Sequence, residues 1–220
     1  AWTWLRLKAR DASVDRVMRA VAPAVLRTRV KQLESEGKLP VIPDERQDAA
    51  TSSISAVRSL AWGCEFLGIE QPAIYIDPSA EHGIEAPFAK HQTTILGKSA
   101  LSGRSLGELA FLVGRHLALR LPEHELVAHM NSIDELSACF LAALKIVLGA
   151  APATGHLASL VEPLANLLEG QMMDAERDAL EVAVRQFSDS GGRVDLKAWI
   201  SSVEKCATRT GYLLCGDLGT

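Results

Sequence analysis

The residues of this chain that could do metal, nucleophilic or acid–base chemistry are its 6 histidines, its 4 cysteines and its scattered acids. Spacing decides which of them can act together. A helix brings residues four apart onto one face, so a metal-binding helix needs two ligands at i and i+4. His116, His124 and His129 do not stand in that relation, and His82, His91 and His156 fall in or beside loop-like stretches suited to surface polar roles. Cys64, Cys139, Cys206 and Cys215 form no C-x-x-C. That speaks against a zinc ribbon or a thioredoxin-like site and for buried free thiols in a reducing compartment. Cys206 and Cys215 lie more than two helical turns apart, too far for a bridge within one helix. There is no G-x-S-x-G, Walker loop or dinucleotide-binding fingerprint. Glu108 heads a helical stretch, but "SLGEL" makes it half of a capping box with Ser105, a role that needs no catalysis.

The elements that must position these groups follow from pattern. Val14, Val17, Met18, Val21, Val25, Leu26, Val30 and Leu33 keep helical spacing over Val14–Glu36, with a break or offset expected at Pro23. "GKLPVIPDE" ends that run, and a second helix is expected from about Arg46 to Leu67. Ile74, Tyr75 and Ile76 read as a strand, and Glu85–Leu101 as one or two more. From Ser105 the pattern is helical nearly to the end, with turns at "GAAPATG" and "SDSGGRVD". Leu106, Leu109, Val113 and Leu117 form the expected core stripe of the Ser105–Leu121 helix, and "PEHEL" from Pro122 begins the next. "RTRVKQ" (Arg27–Gln32) and the run Asp174, Glu176, Arg177, Asp178 read as solvated helix faces.

Bulk properties narrow the function classes. A chain of 220 residues, 48% hydrophobic, can bury a substantial core as one large domain or two small ones. A net charge of -4 gives no electrostatic case for nucleic acid. The longest apolar stretch, "ACFLAALKIVLGAA", is interrupted by Lys145 and Gly149 and is too short to span a bilayer, so a soluble, cytoplasmic protein is expected. Charges inside its first apolar run make this opening unlike a signal peptide, and a first residue Ala rather than Met fits a piece cut from a longer polypeptide, in which case a targeting sequence could lie outside it. Its Ala-, Leu- and Arg-rich composition suits a GC-rich bacterial source.

One more pattern emerges when several weak motifs are taken in order. "GRSLGELAFLVGRHLALRLPEH" (Gly103–His124) resembles the metal-binding helix of zinc metallopeptidases of the HtpX and CAAX prenyl protease type, which carries H-E-x-x-H. Upstream, "LGIEQPAIYID" and "GIEAPFAKHQTTILGKSAL" resemble that family's strands. Downstream, "VEKCATRTGYLL" is similar to its helix with E-x-x-x-D. The resemblance runs over roughly Ala49–Asp217. It implies that Arg115 stands at the first ligand position, His116 at the catalytic base, Leu119 at the second ligand and Glu204 at the third. Thr208 replaces the aspartate, and Arg209 and Gly211 match flanking positions. Arginine stays a cation without a lone pair, and leucine has no donor atom, so the zinc chemistry of that motif is lost. A guanidinium at 115 facing the carboxylate at 204 would instead pair with it.

The expectation is an α+β, mostly helical fold: a zincin-like helical domain with a small antiparallel sheet before the former active-site helix. Residues 1–45 are expected to form an N-terminal helical segment or linker, and residues 46–220 a degenerate metallopeptidase-like domain. The implied function is a non-catalytic scaffold or protein-interaction module with a protein partner, no metal or cofactor, no nucleic acid and no membrane insertion. The alternative is a hydrolase or ligand-binding protein that uses Arg115 and His116 in the former cleft.

Overall fold

The computed structural model describes Leu5 and residues 12–130, 132–150, 153 and 155–216. The described chain is mostly helical with one small sheet. In order, its elements are α1 (Ala12–Ser35), β1 (Arg46–Gln47), α2 (Ser55–Leu67), β2 (Ala73–Asp77), β3 (Ile84–Glu85), β4 (Thr93–Gly97) and the single turn α3 (Lys98–Leu101). Then follow α4 (Leu106–Leu119), α5 (Glu125–His129), α6 (Ile133–Leu148), α7 (His156–Glu169), α8 (Asp174–Asp189) and α9 (Leu196–Cys215). No helix among them is long and apolar enough to cross a membrane.

Packing divides the chain into two compact units that do not follow sequence order. Among the described residues, the first holds Leu5, Leu39–Leu121 and Ser202–Gly216; the second holds Ala12–Lys38 and Pro122–Ser201. Helix α1 belongs with the later helices of the second unit.

In the first unit, the sheet order is β1-β2-β4-β3. It is mixed rather than antiparallel: β2 and β4, its long strands, run parallel from Ala73↔Thr93 to Asp77↔Gly97, and only the two-residue edges β1 and β3 pair antiparallel. The chain between β2 and β4 contributes β3 to the far edge of β4, so the parallel pair is joined without a crossover helix. The helix expected from Arg46 starts only at Ser55, because Arg46 and Gln47 pair with β2 and the Asp48 carboxylate then takes the Ala50 amide (3.0 Å) in a turn. Helix α2 ends at Gly68, whose left-handed backbone (φ 67) lets Ile69 N–H reach the Cys64 carbonyl at 2.9 Å. The core of this unit centres on Leu60, Ile74, Leu96, Leu109, Val113 and Leu117. Leu106, expected to join them, is 71% exposed. It is the first residue of α4, one turn ahead of the stripe that meets α2.

The second unit packs α1 on α8 and α6 on α7, with Phe140 and Phe187 meeting edge to face at 5.2 Å. Helix α1 runs unbroken through Pro23. A proline there forfeits a helical hydrogen bond, yet Val21, Ala22, Ala24 and Val25 around it are all buried, and that packing holds the helix together. Two stretches expected to be solvated meet each other: Arg27 Nη1 donates to Glu176 Oε1 at 2.8 Å, and Arg27 Nη2 also reaches the Gln171 carbonyl at 2.9 Å. The start of a helix expected at Pro122 lies at Glu125, and Glu123 and His124 before it are fully buried. The Glu123 carboxylate accepts from Arg19 Nη2 at 2.8 Å.

These two carboxylates make the unit sensitive to acid. Burial alone would push the Glu123 pKa up, but its own backbone amide and Arg19 outweigh that and hold it below the ordinary glutamate value. The Arg27 hydrogen bonds lower Glu176 likewise. A group depressed in the folded state contributes stability that is complete above its unfolded pKa, near 4.3, and is lost as pH falls through the folded value. Urea unfolding should therefore give a constant stability from about pH 7 to 5 and a decline below about pH 4.5. A flat profile down to pH 3 would contradict both pairings.

Candidate functional site

Helix α4 is set in place by its first turn and its packing. The Glu108 amide donates to Ser105 Oγ at 3.2 Å, and the Ser105 amide donates back to Glu108 Oε2 at 2.8 Å, so the capping box is complete. The Ser105 amide, and then its hydroxyl, hold the Glu108 carboxyl below the usual range. Glu108 is thus engaged in structure. Leu109, Val113 and Leu117 are buried along the inner face. The opposing helix carries Gly63, where an added Cβ would lie 2.8 Å from a Val113 methyl and 2.9 Å from a Leu117 methyl.

A second crossing brings α9 against α4. A Cβ at Gly114 would lie 2.6 Å from the Thr210 carbonyl oxygen and 2.8 Å from the Gly211 Cα, so two glycines let the backbones touch. Phe111 and Tyr212 close one side edge to face at 5.1 Å. On α9 the positions 204, 208 and 211 share a face, since they are four and three residues apart. That contact at Gly211 therefore directs Glu204 and Thr208 toward the residue after Gly114, which is Arg115.

Arg115 spans both. Its Nη2 donates to Glu204 Oε2 at 3.0 Å and its Nη1 to Thr208 Oγ1 at 2.7 Å. The Thr208 hydroxyl donates in turn to the Glu204 carbonyl at 3.0 Å, which leaves its lone pairs facing the guanidinium. The Arg115–Glu204 contact is the one expected from the sequence. The side chains keep 34% and 46% of their exposure, so water reaches the pair and its net contribution falls near the surface value of about 1 kcal/mol or less.

His116, the next residue, goes elsewhere: its Nε2 lies 2.9 Å from the hydroxyl of Thr94, a fully buried residue of β4. Leu119 is half-buried one turn after Arg115 and brings no donor atom. The site thus joins Arg115, Glu204 and Thr208, while His116 is tied to the sheet. The partnership of His116 with Thr94 had no sequence signal beyond a threonine at an inward strand position. Thr208 as an acceptor could have been read from its place one turn after Glu204.

The residues do not fit a zinc ion. Arg115 is a cation without a lone pair to offer and Leu119 has no donor atom, and among the described residues no group of three or more His, Cys, Asp or Glu could hold a metal. The four cysteines are scattered along the sequence, and burial pushes the Cys64 thiol up to about 11 and the Cys139 thiol to about 12, the latter with help from nearby Glu135. No family model, curated protein or solved structure matches the chain.

Proposed function

We propose that this chain carries a degenerate zincin-like domain of the HtpX and CAAX prenyl protease type, which has lost catalysis and works as a scaffold or protein-interaction module. The observation that carries the reading is the Arg115 bridge. The family resemblance assigns residues 115, 204 and 208 to the surroundings of one metal, and these three meet although 89 residues separate Arg115 from Glu204. A guanidinium has the charge to face the carboxylate that a metal would have faced, and a planar fork that also takes the hydroxyl beside it. Retention of Glu204 then has a physical reason after the other ligand types are gone. A hydrolytic or ligand-binding use of Arg115 and His116 has less support, because two Arg115 nitrogens already donate to Glu204 and Thr208 and His116 faces Thr94.

Elemental analysis of the purified protein, with a peptide-hydrolysis assay in the presence and absence of chelator, tests the reading. The expected result is no stoichiometric transition metal and no chelator-sensitive cleavage. One tightly bound zinc per chain, or proteolysis abolished by chelator, would overturn it.

A further inference from the structure

Helix α2 carries Arg58, Ala61, Trp62 and Glu65 at i, i+3, i+4 and i+7, so these four share one face. They line a groove of about 540 Å³, completed by Ala49 and Ala50 in the turn before α2 and by Ile69 after it. The groove lies wholly within the first unit. Trp62 keeps 47% of its exposure, and Phe66 one turn on packs against its ring at 5.5 Å, which steadies that wall. Beside the ring, Ala61 presents only a methyl group, which leaves room for an apolar side chain.

The two ends of this face carry opposite charges. Among the described residues, neither Arg58 nor Glu65 makes a side-chain hydrogen bond or an ion pair. Helix stability gives no reason for either. Arg58 closes the first turn and Glu65 lies in the last, so each stands at the end of the helix dipole that repels its charge. An anion at Arg58 and a cation at Glu65 would be favoured by the side chains and by the dipole alike.

Spacing narrows the ligand. Seven residues of helix separate the two positions by about 10 Å along the axis. Three residues of extended peptide span about the same distance. A free tripeptide therefore matches the groove in sign and in length, its carboxylate on the Arg58 guanidinium and its ammonium at Glu65. In an extended chain the middle side chain points opposite to its two neighbours. That sets it over Ala61 against the Trp62 ring, while the first and third face solvent. A single amino acid holds its charges too close together to reach both ends, and an internal stretch of a protein has no terminal charges to offer.

We propose that this groove binds short free peptides, three residues long with an apolar middle residue, through their two charged ends. The proposal does not rest on the zincin-like reading.

An NMR titration of the full chain with the tripeptide Ala-Leu-Ala tests it. Saturable one-to-one binding is expected at about millimolar concentrations or below. Acetylating the amino end or amidating the carboxyl end should each weaken binding about 10-fold, as should Glu65→Gln and Arg58→Gln, because a charged hydrogen bond is lost each time. Both side chains are exposed, so these variants should keep the fold. The losses should coincide in pairs: Arg58→Gln should cost nothing further against the amidated peptide, and Glu65→Gln nothing further against the acetylated one. The dipeptide Ala-Leu should also bind about 10-fold more weakly, being too short to span both charges. No saturation, a doubly blocked peptide or a dipeptide bound as tightly as free Ala-Leu-Ala, or losses that add where they should coincide would each overturn the proposal.

Discussion

Gly114→Ala should be among the most damaging single-methyl substitutions in the chain, lowering stability by about 3 kcal/mol or preventing folding outright. Overpacking usually costs about 1–3 kcal/mol because neighbouring side chains turn aside. At Gly114 the neighbours are backbone: the new Cβ would sit 2.6 Å from the Thr210 oxygen, 2.8 Å from the Gly211 Cα and 2.9 Å from the Gly211 nitrogen. No rotamer change relieves those contacts. Helix α9 would have to withdraw from α4, taking Glu204 and Thr208 away from Arg115. Gly63→Ala is the fitting comparison, because its nearest neighbours are the side-chain methyls of Val113 and Leu117. That change should fall in the ordinary 1–3 kcal/mol range. Urea midpoints of both variants would decide the matter. If Gly114→Ala matched the wild type within about 0.5 kcal/mol, a routine surface effect, the close crossing would be refuted.

The proposed zincin-like reading requires that the ligands of H-E-x-x-H, placed on α4, create a zinc site. The variant Arg115→His with His116→Glu and Leu119→His writes that motif into α4, with Glu204 as the third ligand. Residues 115 and 119 share a helical face. Glu204 Oε2 already lies 3.0 Å from Arg115 Nη2, so the side chains of residues 115 and 204 reach the same space, and ligand atoms around a tetrahedral zinc with bonds near 2.1 Å stand roughly 3.4 Å apart. An imidazole is shorter than arginine, and the ion would occupy the space it vacates. The expected outcome is one zinc per chain. The stability gain should be about 4 kcal/mol when free zinc exceeds the dissociation constant 1,000-fold, reversible by chelator and abolished by adding Glu204→Ala. Because His116→Glu also removes the Thr94 contact, the pair Arg115→His with Leu119→His serves as a second form that should bind zinc. If both variants fold and neither takes up zinc, the zincin-like reading falls.

Where sequence and fold agree, a strong local signal points the same way as the tertiary packing. Helix α4 is such a case: the Ser105–Glu108 box marks its start, and Leu109, Val113 and Leu117 mark its inner face. The Arg115–Glu204 contact could also be anticipated, but only because a family resemblance supplied the long-range proximity that no local pattern contains. The departures have the opposite cause, long-range contacts that override local preference. Pro23 sits inside α1 because the burial of Val21, Ala22, Ala24 and Val25 beside it outweighs one missing hydrogen bond. Arg46 and Gln47 suit a helix, yet they pair with β2. The parallel register of β2 and β4 is set by where the intervening chain returns, which strand composition does not encode. Arg27, Glu176, Glu123 and Arg19 are charges on helical or turn segments; only the pairing of distant segments shows that they face one another.

The interleaving of the two units has a consequence for synthesis. Most of the first unit is made early, as Leu39–Leu121, but it is completed only when the chain from Ser202 to Gly216 follows. At about 5–20 residues per second, the surface of α4 around Gly114 waits roughly 4–16 s for α9 to be made. In that interval the parallel strands and α2 can already assemble with α4, yet Arg115 has neither Glu204 nor Thr208 to bind. The intervening residues are themselves most of the second unit, which by then has its own α1 and can close first. A chain released before Ser202 would therefore carry every residue of the second unit while the first still lacks Glu204, Thr208 and Gly211, leaving α4 without its crossing helix.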